Sequence, residues 1–125
     1  MPPAVGTILL VEDESAVRST ARRILERRGY SVLEARHGAD AMVVWGAHRA
    51  KIDAVVTDIR MPEVGGRELV EALSQEQPHL PIVFMSGYSD EQARATAGPW
   101  QTFIERPFTT ERLTTALASV LATSR

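Results

Sequence analysis

Short apolar runs alternate along this chain with longer stretches in which apolar residues recur every three or four positions. Thr7 to Val11 is a continuous apolar run, the pattern of a buried strand. Val17, Ala21, Ile24 and Leu25 then follow at helical spacing, with Arg18, Arg22, Arg23, Glu26 and Arg27 on the other faces. Gly29 stands where a helix ends. Tyr30 to Ala35 alternates as a second strand, and Gly38 opens a helix carrying Ala41, Met42, Val44 and Trp45. Ala54 to Thr57 predicts the third strand, and Gly66 to Gln75 a helix with Leu69, Val70 and Leu73 inward. Pro81 starts a fourth strand, Ile82 to Met85, at a position where no ladder donor is lost. Asp90 to Ala97 reads as a helix whose interior is mostly alanine, the least anchored of the set, ended by Gly98-Pro99. Thr102 to Ile104 is the fifth strand. Thr109 or Thr110 caps a last helix that buries Leu113, Ala116, Leu117, Val120 and Leu121.

Strands this continuously apolar, alternating with helices, predict an α/β protein with a parallel sheet covered on both faces. The 125 residues suffice for a single domain, with its core at about 7–122. A hydrophobic share of 44% and a charged share of 24% are ordinary for a soluble globular protein. With no cysteine, disulfides, thiolate metal sites and cysteine nucleophiles drop out. No apolar run reaches membrane-spanning length and Met1-Pro2-Pro3-Ala4 has no signal-peptide character, so the expected location is the cytoplasm. A net charge of -2 gives no electrostatic reason to expect nucleic-acid binding. Lys51 is the only lysine among 14 basic residues, a compositional habit that matters at one position below.

Candidate chemistry gathers where the strands end. The third runs straight into Asp58, ahead of the Pro/Gly-bearing stretch Ile59-Arg60-Met61-Pro62-Glu63-Val64-Gly65-Gly66, and the first ends on Glu12-Asp13. In open α/β sheets, ligands bind at the carboxyl ends of strands. Three carboxylates packed there would repel one another, and a divalent cation would relieve that repulsion. Oxygen ligands without histidine or cysteine favour Mg²⁺, with a backbone carbonyl from Arg60 as a further ligand. A carboxylate beside Mg²⁺ can attack phosphorus and form an acyl phosphate. Ser86, after the fourth strand, offers a hydroxyl to the phosphoryl oxygens, and Arg106, after the fifth, a permanent positive charge.

These stretches resemble the receiver domains of bacterial two-component response regulators over nearly the whole chain. The resemblance is carried by Ile8-Leu9-Leu10-Val11-Glu12-Asp13-Glu14, Thr57-Asp58-Ile59-Arg60-Met61-Pro62, Gly65-Gly66, Met85-Ser86-Gly87 and Arg106-Pro107-Phe108. It implies a flavodoxin-like, doubly wound sheet of five parallel strands in the order 2-1-3-4-5. It also implies that Asp58 accepts phosphate from a histidine kinase or histidine phosphotransfer protein, with Glu12 and Asp13 as metal-binding acids. Ser86 matches the hydroxyl residue that turns toward the phosphoryl group, and Phe103 the aromatic whose rotamer follows the switch. The surface of the fourth helix, fifth strand and last helix would engage an output partner, a second copy of the chain among the candidates. Receivers carry lysine where this chain has Arg106, which either neutralises the phosphoryl group with altered rates or weakens the switch. The segment between Ser86 and Arg106 is slightly short for the family.

Arg60 and Tyr88 fall at loop positions that would rim the pocket; the resemblance implies that such positions tune phosphoryl lifetime, and the plainer reading of each is a solvated side chain. Met85-Ser86-Gly87-Tyr88-Ser89-Asp90 resembles receivers attached to hybrid sensor kinases. No output segment follows within the 125 residues, which suits either a stand-alone receiver or one excised from a larger protein. Two rival functions stand beside this one. A phosphorylation-independent binding module has Arg106 as its support. A small Mg²⁺-dependent phosphatase with an aspartyl nucleophile usually has a second aspartate two residues on as general acid, and that position is Arg60. Other notable residues have plainer readings. Glu14 reads as a first-turn helix residue, Trp45 and Trp100 as packing, and His37, His48 and His79 show no ligand spacing. Arg18, Arg22, Arg23, Arg27 and Arg28 form a solvated face that a kinase or phosphotransfer partner could use.

Overall fold

The computed structural model describes residues 6–59, 65–86, 100–105 and 107–123, apart from the side chains of Ser86 and Thr123. The five strands are β1 (Gly6–Val11), β2 (Tyr30–Ala35), β3 (Ala54–Asp58), β4 (Ile82–Ser86) and β5 (Gln101–Glu105). They form one parallel sheet in the order β2-β1-β3-β4-β5. The described helices are α1 (Ser15–Arg27), α2 (Gly38–His48), α3 (Gly66–Glu76) and α4 (Thr110–Thr123). The alanine-rich helix expected over 90–97 lies outside the described residues.

Successive strand residues point to opposite faces, and this sheet uses both. Leu9, Val11, Val55, Ile82 and Phe84 meet Ala41 and Trp45 of α2 and Leu69, Val70 and Leu73 of α3. Ile8, Leu10, Ala54, Val56, Val83, Met85 and Ile104 meet Ala21 and Leu25 of α1 and Leu113, Leu117 and Val120 of α4. Nearly continuous apolar strands are therefore required, because no strand face in the centre of the sheet meets water.

Local chemistry sets the helix ends. Gly29 has φ of 92°, the left-handed conformation that ends α1 just past its last turn. The Thr109 hydroxyl accepts from the Arg112 amide at 3.1 Å, so Thr109, not Thr110, caps α4. His37, which carried no expected role, caps α2, its Nδ1 accepting from the Asp40 amide at 3.1 Å. Met42 lies on α2 but not in the core. It is exposed, as is Val43, while Trp45 is buried with its indole N–H donating to Glu76 of α3. Trp45 and half-buried Trp100, whose ring meets that of His79 at 4.2 Å, are packing residues as expected.

Candidate functional site

The central strands β1 and β3 pair directly, with Val11 opposite Thr57, so both end at the same edge. The chain leaves β1 through Glu12 and Asp13 and leaves β3 through Asp58. One carboxylate oxygen from each of these three residues lies within 4.8 Å of the others. Glu12 has 0% of its surface exposed and Asp58 4%, while Asp13 is exposed. Among the described residues, the buried polar or charged ones are Glu12, Thr57 and Asp58, and all three stand at this edge.

Backbone contacts hold Glu12 and Asp58 in place. The Glu12 amide donates to the Ala35 carbonyl at the end of β2, at 3.1 Å. Asp58 pairs with Met85 in the ladder, and the next amide, Ile59, donates to the Met85 carbonyl at 3.2 Å. The Gly66 amide, at the start of α3, donates to the Ile59 carbonyl at 2.8 Å. A Cβ on Gly66 would fall 2.0 Å from the Asp58 carbonyl oxygen, so only glycine lets α3 start this close to the acid.

Hard oxygen donors drawn from two strand ends, two of them buried, suit a small divalent cation such as Mg²⁺. Glu12, Asp13 and Asp58, the acids expected to meet, do meet. Arg60 and Arg106 lie outside the described residues, as does Tyr88. Ser86 ends β4 opposite Glu105, with its backbone described and its side chain not. Phe103 is partly buried against the layer of α2 and α3. Its ring stacks on Phe84 across the β4–β5 pair, with centroids 4.8 Å apart and planes at 17°. Phe84 in turn pairs with Thr57, the residue before Asp58.

One contact departs from the sequence reading. Arg18 does not belong to a solvated arginine face. Its side chain is 17% exposed, its guanidinium donates to the Glu12 carbonyl at 2.8 Å, and its Nε lies 3.6 Å from Glu34 of β2. Arg22 also reaches Glu34, at 2.9 Å, and pairs with Glu26 at 3.3 Å. Glu26 first, then Glu34, hold the Arg22 guanidinium above its usual value. Helical periodicity places Arg18 on an outward face, and the strand-end carbonyl it meets comes from a segment that periodicity does not describe.

A family model described as response regulator receiver domain matches residues 8–118. The chain is 38% identical over 122 residues to Sensor kinase CckA of Brucella abortus (strain 2308), covering 93% of this chain and 12% of that protein. It is 34% identical over 117 residues to Response regulator MprA of Mycobacterium sp. (strain KMS), covering 91% of this chain and 50% of that one. It thus spans half or less of the length of either relative. Among solved structures, the receiver domain from Hybrid Histidine Kinase CckA superposes with a TM-score of 0.79 at 34% identity, covering 93% of this chain and 99% of that chain. A response regulator receiver protein from Sinorhizobium medicae gives 0.87 at 30% identity, covering 96% and 97% respectively.

Proposed function

The chain belongs to the response regulator receiver domain family of two-component systems, and from that premise we propose that Asp58 accepts a phosphoryl group from a phosphohistidine. The donor would be a histidine kinase or a histidine phosphotransfer protein. The observation that carries this reading is the convergence of Glu12, Asp13 and Asp58 to within 4.8 Å at the ends of two adjacent strands.

In the transfer, an Asp58 carboxylate oxygen bonds to phosphorus as the P–N bond breaks. The electron pair returns to the donor imidazole, which takes up a proton. Glu12, Asp13, Asp58 and the Arg60 carbonyl would hold Mg²⁺, which when bound screens the repulsion between carboxylate and phosphoryl group. By their places in the sequence, Ser86 supplies a hydroxyl and Arg106 a fixed positive charge to the transferred oxygens. A guanidinium binds phosphate well and keeps the charge that lysine would bring, though its planar fork needs more width than an ammonium.

The response would pass toward β5 through the stacked Phe84 and Phe103, because Phe84 neighbours Thr57 in the ladder. The output surface on this reading comprises β5, α4 and the stretch over 90–97. It would bind a partner, a second copy included, only as far as the two states differ in contacts there. The likeness to a sensor kinase supports a place as one module of a hybrid kinase working in the cytoplasm. No helix among the described residues is long and apolar enough to cross a membrane.

Exposure to acetyl phosphate, with intact mass followed, tests the reading. One added phosphoryl group is expected, dependent on Mg²⁺ and absent in Asp58→Asn. Labelling that persists in Asp58→Asn, or that ignores metal, would sink it.

A further inference from the structure

Of the three acids, Asp13 is the exposed one, so packing does not fix it as it fixes Glu12 and Asp58. Its position depends on the backbone that carries it. The Glu12 carbonyl and the Asp13 amide share one peptide plane with the Asp13 Cα, because the peptide bond does not rotate freely. Whatever orients that carbonyl therefore sets the direction in which Asp13 leaves the strand. The carbonyl accepts from the Arg18 guanidinium at 2.8 Å, and the amide on the other side of Glu12 donates to Ala35 at 3.1 Å. Arg18 is itself steadied from β2 by Glu34, 3.6 Å from its Nε.

We infer that Arg18 is a positioning residue of the acidic pocket: by holding the Glu12 carbonyl it fixes the peptide plane that presents the Asp13 carboxylate to a divalent cation. The link to metal rests on the reading of these acids as a Mg²⁺ site; the link to Asp13 order does not.

Electrostatics alone predicts the opposite outcome. Arg18 is a cation beside a cation site, so deleting its charge should tighten metal binding. A positioning role predicts weaker binding, and Arg22 supplies the control. Arg22→Ala removes one positive charge from the same cluster and breaks the same Glu34, but leaves the Glu12 carbonyl bonded.

Amide ¹⁵N relaxation on the metal-free protein should show the Asp13 order parameter falling in Arg18→Ala, from about 0.85 toward about 0.6. It should stay high in Arg22→Ala. Arg18→Lys, which keeps a donor within range of the carbonyl, should fall between. Calorimetric titration with Mg²⁺ at a temperature where all variants are folded should show Arg18→Ala binding about tenfold more weakly, the usual cost of losing a group that orients a ligand. Asp13 order unchanged in Arg18→Ala, an equal loss in Arg22→Ala, or Mg²⁺ bound as tightly without Arg18 would overturn the inference. A wild-type protein that takes up no Mg²⁺ overturns the metal reading, and the relaxation comparison then decides Arg18 alone.

Discussion

Gly66 meets the Asp58 carbonyl so closely that a single methyl group decides whether α3 can begin where it does. Gly66→Ala would force a contact of 2.0 Å against backbone, which cannot swing away as a side-chain tip can. The helix or the strand end must move. A destabilisation of about 1–3 kcal/mol, the usual range for overpacking, is expected in urea denaturation. Phosphoryl uptake, if Asp58 is the acceptor as proposed, should fall by more than that loss of stability explains, since the displaced atoms belong to Asp58 itself. Arg106 sets a complementary test. If fixed charge is what the phosphoryl oxygens need, Arg106→Lys should still be labelled by acetyl phosphate and Arg106→Ala much less, read by intact mass. Residue-level chemistry was unevenly legible. Glu12, Asp13 and Asp58 stood out only together, with Ser86 and the neighbouring motifs, since a single acid after a strand is usually a turn-former or helix cap. Arg18 and His37 did not, because a helical arginine and a lone histidine look solvated until the carbonyl or amide they meet is known.

The elements follow from pattern more directly than the contacts do. Ile8-Leu9-Leu10-Val11 had to be a strand buried on both faces, since alternate members feed different layers. The capping of α4 by Thr109 was half legible: the hydroxyls of Thr109 and Thr110 are equivalent in sequence, and only the geometry of the first turn selects one. Thr109→Ala should cost about 1 kcal/mol in chemical denaturation, the usual worth of a cap. Thr110→Ala should cost less, although its carbonyl accepts from Thr114 at 2.9 Å, because a backbone acceptor survives the change. The outward placement of Met42 escaped the pattern because α2 is apolar nearly all round, so periodicity cannot say which side is wet. Deeper in the same layers, Leu113→Ala should lose about 2–5 kcal/mol, as expected of a fully buried leucine whose removal leaves a cavity.

For the molecule as a whole, three carboxyl groups gathered at one edge of the sheet would, on the proposed Mg²⁺ reading, make folding and metal binding partners. A cation that binds the folded pocket and not the unfolded chain stabilises by mass action, about 2.7 kcal/mol at a hundredfold excess over its dissociation constant. Mg²⁺ should therefore raise the melting temperature of the wild type, and much less that of Asp13→Asn, in scanning calorimetry. The order of strands was legible through family resemblance rather than through hydrophobic pattern, which is the same for any arrangement of parallel strands. The sheet also separates its two ends in a way that affects how the protein can be watched. Trp100 lies at the entry of β5, its carbonyl accepting from Ile82 at the start of β4, and Trp45 joins Glu76 near the close of α2 and α3. Trp100 thus lies at the end of the sheet opposite the acids and buried Trp45 toward that end, and the chain has just two tryptophans. Neither indole comes from the strand ends that carry the acids, so an emission change on adding Mg²⁺ or a phosphodonor would be an optical record of movement carried along the sheet.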